Sequence, residues 1–403
     1  MIIMNKNNLW QFSQASMGIV QWIGVAIIIA PVILSRTGSA ILVGQVMLIL
    51  GLIGLVAPVL GALADRFSWH RQLHFFALAC HCQALLILLW ASQTVWHYWL
   101  IAILVGLGSN LILILNPTFA LKLNNQPAMQ TRALKRLFQI QMLGVAIAGV
   151  SVGTLNYFGL SQTAQIVSLI VFDFALLILI AIAPPATINF EPANDEVTVS
   201  QSRKPSAAIW FGFVVCVALS MFIGSNMVEL GPVIIEQAFG VSVASSAFGM
   251  AIAAMITLVS LAPAGKWMEK HGSQALWLVT IVINLFVAVV MWGMYGNQIV
   301  AILPLSLILL SIINGAWNDI SIAALADQIS PYSPATSQGY MAAAVSLGFS
   351  VGTYCVGVLI DAQNILGVMN FLLVSGVVIT VLAVIIIGLR RKHQAVVTTS
   401  SPS

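Results

Sequence analysis

The stretch Gly61-Ala62-Leu63-Ala64-Asp65-Arg66-Phe67-Ser68-Trp69-His70-Arg71 is a short charged loop between two apolar runs. A worn copy, Gly265-Lys266-Trp267-Met268-Glu269-Lys270-His271-Gly272, follows 204 residues later. Gly61 answers to Gly265, Asp65 to Glu269 and Arg66 to Lys270. The same offset pairs Ala120-Leu121 with Ala324-Leu325, Pro127 with Pro331, Leu143-Gly144 with Leu347-Gly348, and Val152-Gly153 with Val356-Gly357. A repeat that keeps its register across many apolar segments predicts two copies of one membrane bundle.

Of the 403 residues, 60% are hydrophobic and only 6% charged, and the mean hydropathy is +1.03. A soluble domain carries about 25% charged residues, so this composition predicts an integral membrane protein. The net charge of +4 is then a matter of membrane topology and not of nucleic-acid binding. Cys80, Cys82, Cys216 and Cys355 all fall in apolar segments. Cys80-His81-Cys82 offers no metal site, because side chains at i and i+2 on a helix diverge. The four read as small core residues, and no metal or cofactor is expected. The first apolar run has no small-residue cleavage pattern behind it, so it reads as a retained span.

Apolar runs long enough to cross a bilayer of about 30 Å recur twelve times. They cover residues 17–34, 41–64, 74–91, 96–120, 138–157, 162–183, 207–235, 244–264, 274–292, 299–324, 340–360 and 365–389. The predicted organisation is a six-helix bundle over 1–184, a linker over 185–206, a second bundle over 207–389 and a disordered tail over 390–403. The linker carries Glu191, Asp195, Glu196, Arg203 and Lys204. With the N-terminus in the cytoplasm, Lys6, Arg66, Arg71, Lys122, Arg132, Lys135, Arg136, Arg203, Lys204, Lys266, Lys270 and Arg390-Arg391-Lys392 all fall inside, and only Arg36 outside. A miscount by one span would split this set, so the positive-inside rule supports the count and places both termini in the cytoplasm. No acceptor sequon for N-glycosylation occurs, since Asn116-Pro117-Thr118 is excluded by its proline; a bacterial inner membrane is the expected location.

Twelve spans in two halves, a central linker, and Gly-x-Leu-Ala-Asp-Arg between spans two and three resemble the major facilitator superfamily. The resemblance covers essentially the whole chain and implies an all-α integral membrane fold of two pseudo-symmetric six-helix bundles. It also implies that the loop latches the halves together on the cytoplasmic side, through Gly61, Asp65, Arg66, Arg71, Gly265, Glu269 and Lys270. Gly61 permits close helix approach, and Asp65 can cap the start of span eleven, near Ser337-Gln338-Gly339-Tyr340, through the helix dipole. Ser68 stands where the family usually has glycine; Gly272 keeps it. Two patterns of drug–proton exporters are missing. Ala102 stands four residues before Gly106 where an arginine is common. Gly144, Gly149 and Gly153 give small-residue spacing in span five without the usual proline, which points to tight helix packing.

The resemblance places spans one, four, seven and ten around a central cavity, so their polar groups are substrate candidates. These are Gln21 and Trp22 (with Gln14 nearby), Asn110 and Asn116, Ser225 and Asn226, and the i, i+3, i+4 set Asn314, Trp317 and Asn318. For any one of these amides, helix–helix hydrogen bonding is the equal alternative. An ionisable group in a span costs at least roughly 2.5 kcal/mol. Glu229 and Asp319, on cavity-lining spans, are the candidates for proton coupling, with a fixed structural hydrogen bond as the alternative for each. Asp173 belongs to a scaffold span and is expected to pair with His81 as a structural bridge within the first half. Pro31-Val32-Ile33 echoes Pro232-Val233-Ile234, and Arg36 and Glu236 beyond them could pair to close the outer mouth in the inward-facing state.

The function so implied is secondary active transport of a small organic molecule by alternating access, as proton-coupled export, with proton-coupled uptake as the alternative. The expected partners are the solute, protons and the bilayer, and the chain is expected to act as a monomer. An enzyme is not expected, because His81 has no His-x-x-x-His or Glu-x-x-His partner. A sensor is not expected either, because no loop is long enough to fold as an added domain.

Overall fold

A computed structural model describes residues 6–124, 126–187, 207–240, 247–297 and 300–399. The linker charges Glu191, Asp195, Glu196, Arg203 and Lys204 lie outside them. The described residues form twelve helices long and apolar enough to span a membrane. In the first half these are α1 (Asn8–Thr37), α2 (Ile41–Phe67), α3 (His70–Trp90), α4 (Val95–Lys122), α5 (Pro127–Tyr157) and α6 (Gln162–Ile182). In the second they are α7 (Ala207–Glu229), α8 (Gly249–His271), α9 (Ser273–Met294), α10 (Ile302–Ile329), α11 (Pro334–Asp361) and α12 (Ile365–Arg391). Spanning helices are the expected answer to a bilayer, where each backbone polar group must be satisfied within its own segment.

Local sequence sets the ends. The Ser161 side chain accepts from the Ala164 amide to start α6, and Ser39 does the same for α2 through Leu42. Prolines 127 and 334 occupy first-turn positions of α5 and α11, where the missing N–H costs nothing. α7 stops at Glu229 and not at residue 235. Gly231-Pro232 then starts a separate short helix, Gly231–Phe239, because proline cannot donate to a continuing ladder. α5 begins eleven residues before the apolar run does, so its first three turns carry the polar residues Gln130, Arg132, Lys135 and Arg136. The last helix runs on to Thr399, past residue 389, where the sequence suggested an irregular tail.

α1 is the irregular span. A tight 3-10 stretch (Lys6–Ser13) gives way after one α-turn to a wide π-helical stretch, Met17–Ile29. Such widening is rare and concentrates at functional sites. Here α1 is pressed onto α5: a Cβ on Gly18 would sit 2.3 Å from the Gln141 carbonyl, and one on Gly144 2.3 Å from that of Ala15.

The duplication is written in the backbone. Ser68 (φ 55°) and Gly272 (φ 86°) end α2 and α8 in the left-handed region. Gly159 (φ 68°) and Gln363 (φ 54°), related by the same offset, do so after α5 and α11. The first half's apolar core runs on across the seam to Leu261 and Ile320, and the second half has a further one of its own. That of the first contains Ile23, Leu78, Leu115 and Leu137, and that of the second Trp210, Phe213, Trp277 and Met369. The halves meet chiefly where α2 crosses α11 and α5 crosses α8.

Candidate functional site

A central cavity of about 200 Å³ lies at the seam. From the first half, Met17, Gln21 and Trp22 of α1, Ser109 and Asn110 of α4, and Phe138 and Gln141 of α5 line it. From the second come Met221, Ser225 and Glu229 of α7, Gly315 and Asp319 of α10, and Gln338, Ser346 and Phe349 of α11. Helical phase explains the choice. Met221, Ser225 and Glu229 recur every four residues on one face of α7, and Gly315, Asp319 and Ile322, at i, i+4 and i+7, share one face of α10.

Glu229 and Asp319 face this one cavity, and neither has a hydrogen bond or ion pair among the described residues. None of the described lining side chains is basic. The cavity is therefore an apolar and amide-lined chamber with two carboxyl groups and no counter-charge. Gln21 accepts from Ser109 Oγ at 2.8 Å. Ser225 turns its hydroxyl back to the Met221 carbonyl. Asn110 accepts from Ser346 Oγ across the seam at 3.2 Å.

Five candidates do not line the cavity. Asn116 is fully buried within the first half, bonded to Ser13 at 2.9 Å and Gln14 at 2.8 Å. Asn226 turns back to the Phe222 carbonyl. Asn314 donates to the Thr280 carbonyl at 3.0 Å and to Asn284 at 2.8 Å. Asn318 accepts from Thr280 at 3.3 Å. Trp317 reaches Ser260 of α8 at 3.3 Å. The amide-and-indole face of α10 thus looks towards α8 and α9, and the neighbouring face, one residue on, looks into the cavity. Sequence supplied the period and not the phase. It also passed over Gln141, Gln338 and Ser346, because the resemblance places only spans one, four, seven and ten around the cavity; polar residues spaced on α5 and α11 were the available signal.

The halves are tied at the end that carries Arg66, Lys122, Arg132 and Lys270, the basic end. The Asp65 carboxylate, only 8% exposed, sits at the start of α11. It accepts from the Thr336 amide at 3.0 Å, the Thr336 hydroxyl at 3.1 Å and the Ala335 amide at 3.4 Å. That is three residues before the Ser337-to-Tyr340 start read from sequence. His70 Nε2 holds its Oδ1 at 3.1 Å. A Cβ on Gly61 would fall 2.3 Å from the Ala335 carbonyl oxygen, so glycine is what lets α2 reach α11. In the second copy Glu269 takes the Arg132 side chain at 3.1 Å, and a Cβ on Gly265 would meet the Lys135 chain at 2.5 Å. A third tie, Lys122 to Asp327 at 3.1 Å, joins α4 to α10 and was not foreseen. Arg66 lies over the Phe67 ring at 5.4 Å, while Arg66, Arg71 and Lys270 are exposed and make no tie between the halves among the described residues.

At the opposite end no hydrogen bond or ion pair between the halves is found among the described residues. Arg36 donates to the Leu88 and Ala91 carbonyls at 2.7 and 2.8 Å, capping the end of α3, and Glu236 is exposed. The two do not pair in this arrangement, whose basic end is closed. His81 and Asp173 do not touch directly either. Ser16 Oγ stands between them, bonded to both.

No family model matches the chain, and no curated protein matches it by sequence. Solved structures match it by shape. A bacterial homologue of the iron transporter ferroportin, in an outward-facing state, superposes with a TM-score of 0.68 at 14% identity, covering 95% of this chain and 99% of that one. The human organic anion transporter MFSD10 (TETRAN) also superposes at 0.68, with 12% identity over 94% and 97% of the two chains. The chain has the fold these two transporters share, and at these identities the likeness is one of fold.

Proposed function

We propose that this chain, folded as major facilitator-type transporters are, is a secondary active transporter that exports a small organic molecule in exchange for protons, by alternating access. The observation that carries the reading is the pair of unpartnered carboxyl groups, Glu229 and Asp319, in one seam cavity without a basic side chain. An unpaired ionisable group inside a membrane bundle is costly and is kept for ion or substrate handling. Two acids without counter-charge favour a cation, and Met17, Trp22, Phe138, Met341 and Phe349 around them favour an amphipathic organic one through apolar and cation–π contact. Proton and solute then compete for the same carboxyl groups, which links their movements. The fold of an anion carrier, shared by MFSD10, does not fix the cargo.

Export is supported by the resemblance of the Asp65 loop to that of exporters; uptake with protons is the second reading. On this reading the chain is a monomer of a bacterial inner membrane with both termini in the cytoplasm, as the positive-inside pattern of its loops supports. Purified protein in sealed liposomes under an imposed pH gradient tests the reading. A panel of amphipathic cations should move against the proton flow, and Glu229→Gln or Asp319→Asn should uncouple or abolish it. Solute flux that ignores collapse of the gradient, or product formation without flux, would overturn it.

A further inference from the structure

A second set of titratable groups lies in the first half, away from the carboxyl pair. Asp173 of α6 and His81 of α3 are both fully buried. They belong to one unbroken chain of side-chain hydrogen bonds that begins at the cavity. Ser109 Oγ, a cavity-lining group, donates to Gln21 Oε1 at 2.8 Å. His81 Nε2 meets Ser109 Oγ at 3.1 Å. His81 Nδ1 meets Ser16 Oγ at 2.6 Å, and Ser16 Oγ meets Asp173 Oδ1. Cys82 Sγ donates to the other carboxyl oxygen at 3.1 Å.

Counting protons along this chain fixes its charge state. Ser109 has one hydroxyl proton and gives it to Gln21. Nε2 meets Ser109 Oγ, whose own proton is committed to Gln21; that nitrogen is therefore N–H. In neutral His81 the other nitrogen, Nδ1, must then accept, and Ser16 spends its single proton on it. In that form nothing remains on Ser16 for Asp173, so the carboxyl group supplies the last link; with His81 protonated on both nitrogens Ser16 would donate to a carboxylate instead, and the neutral pair is the form a low-dielectric interior favours. Four links use four protons only if Asp173 and His81 together hold one proton more than a carboxylate and a neutral imidazole would. Removing it leaves a buried anion and a broken link, and both are costly in a low-dielectric interior. Among the described residues, the only other titratable group bonded to Asp173 is Cys82. α1 and α4 bring hydroxyls, an amide and carbonyls, and no lysine or arginine among the described residues bonds any member.

We propose that Asp173 and His81 form a second proton-binding site, buried in the first bundle and connected to the cavity through Ser16, Ser109 and Gln21. Release runs as a concerted shift. Asp173 passes its proton to Ser16 Oγ, Ser16 passes its own to His81 Nδ1, His81 passes the Nε2 proton to Ser109 Oγ, and Ser109 gives its proton to cavity water as Gln21 turns aside. One proton leaves and one carboxylate remains; the three links between Asp173 and Ser109 reverse their donors, and the link from Ser109 to Gln21 is the one broken. The His81 ring is held for this by close packing, since a Cβ on Gly108 would lie 2.4 Å from its Cδ2. Ser16 immediately precedes the π-helical stretch of α1, whose Met17, Gln21 and Trp22 line the cavity. The protonation state thus acts on the wall of the binding chamber.

Infrared difference spectroscopy of the reconstituted protein tests this without a substrate, so its outcome is separate from that of the transport assay. A protonated-carboxyl band that titrates and shifts in D2O should persist in the Glu229→Gln/Asp319→Asn double variant and vanish in Asp173→Asn. Ser16→Ala should slow its deuterium exchange at least roughly tenfold, the loss of one link of the relay. Where Asp173→Asn does not yield folded protein, Ser109→Ala, at the cavity end, should slow the same band's exchange. No carboxyl band beyond those of Glu229 and Asp319, or exchange unaffected by Ser16→Ala and Ser109→Ala, overturns the proposal.

Discussion

Replacing Asp65 with asparagine should loosen the closed basic end and leave the bundles themselves intact. Asp65 joins the halves through three hydrogen bonds to Ala335 and Thr336 at the start of α11. Asparagine keeps one acceptor oxygen and loses the charge. The charge–dipole contribution at a partly buried helix start is about 1 kcal/mol. Trading a charge-assisted hydrogen bond for a neutral one removes about 1 kcal/mol more. The bond to His70 lies within the first half and is common to both states, so it cancels. A loss of about 2 kcal/mol shifts the closed-to-open ratio at the basic end roughly 30-fold. Spin labels at exposed Gln72 and Gln328, one on each half at this end, report the shift as a longer-distance population in Asp65→Asn. A distance distribution identical to that of the parent would refute the reasoning, and with it the role of Asp65 as a tie.

Gly61→Ala places a methyl group 2.3 Å from the Ala335 carbonyl oxygen. Because that atom is backbone, α2 and α11 must part, and the same label pair should report an open basic end with transport lost; normal transport would contradict the close approach. Ser68→Gly should stabilise the protein by about 1 kcal/mol, because Ser68 is held at φ 55°; an unchanged or lower melting temperature would count against this. Arg132→Glu should open the basic end less than Asp65→Asn does, since an exposed pair is worth about 0–1 kcal/mol. The exchange Arg132→Glu with Glu269→Arg should restore closure. Failure of that rescue would show that the 3.1 Å contact is not what Arg132 contributes.

The architecture was legible because it rests on quantities a sequence carries directly: apolar length, the side on which cations accumulate, and a repeat that keeps register. Asp65 was legible through the resemblance of its loop to the major facilitator pattern, which implies a carboxylate capping the start of α11. The cavity wall was legible in part. Glu229, Asp319, Gln21, Trp22, Asn110 and Ser225 line it, whereas Asn314 and Asn318 turn to α9. A mean hydropathy of 3.0 or 1.4 in a span says that it crosses, not how it is rotated. Rotation is set by packing, and one residue of phase moves a side chain from the seam to the back. α1 was harder still, because its π-helical stretch breaks the α-period on which any facing argument depends. The Ser16 bridge between His81 and Asp173 joins three helices, so no local pattern announces it.

Distances measured at both ends of one sample test the central idea most directly. Labels at Gln72 and Gln328 mark the basic end, and labels at exposed Gln93 and Asn297 mark the opposite one. Two rigid bundles rocking about the seam cavity predict that Asp65→Asn, or a change of pH, lengthens the first distance and shortens the second together. Ends that lengthen together, or a basic end that opens while the other stays fixed, would contradict it.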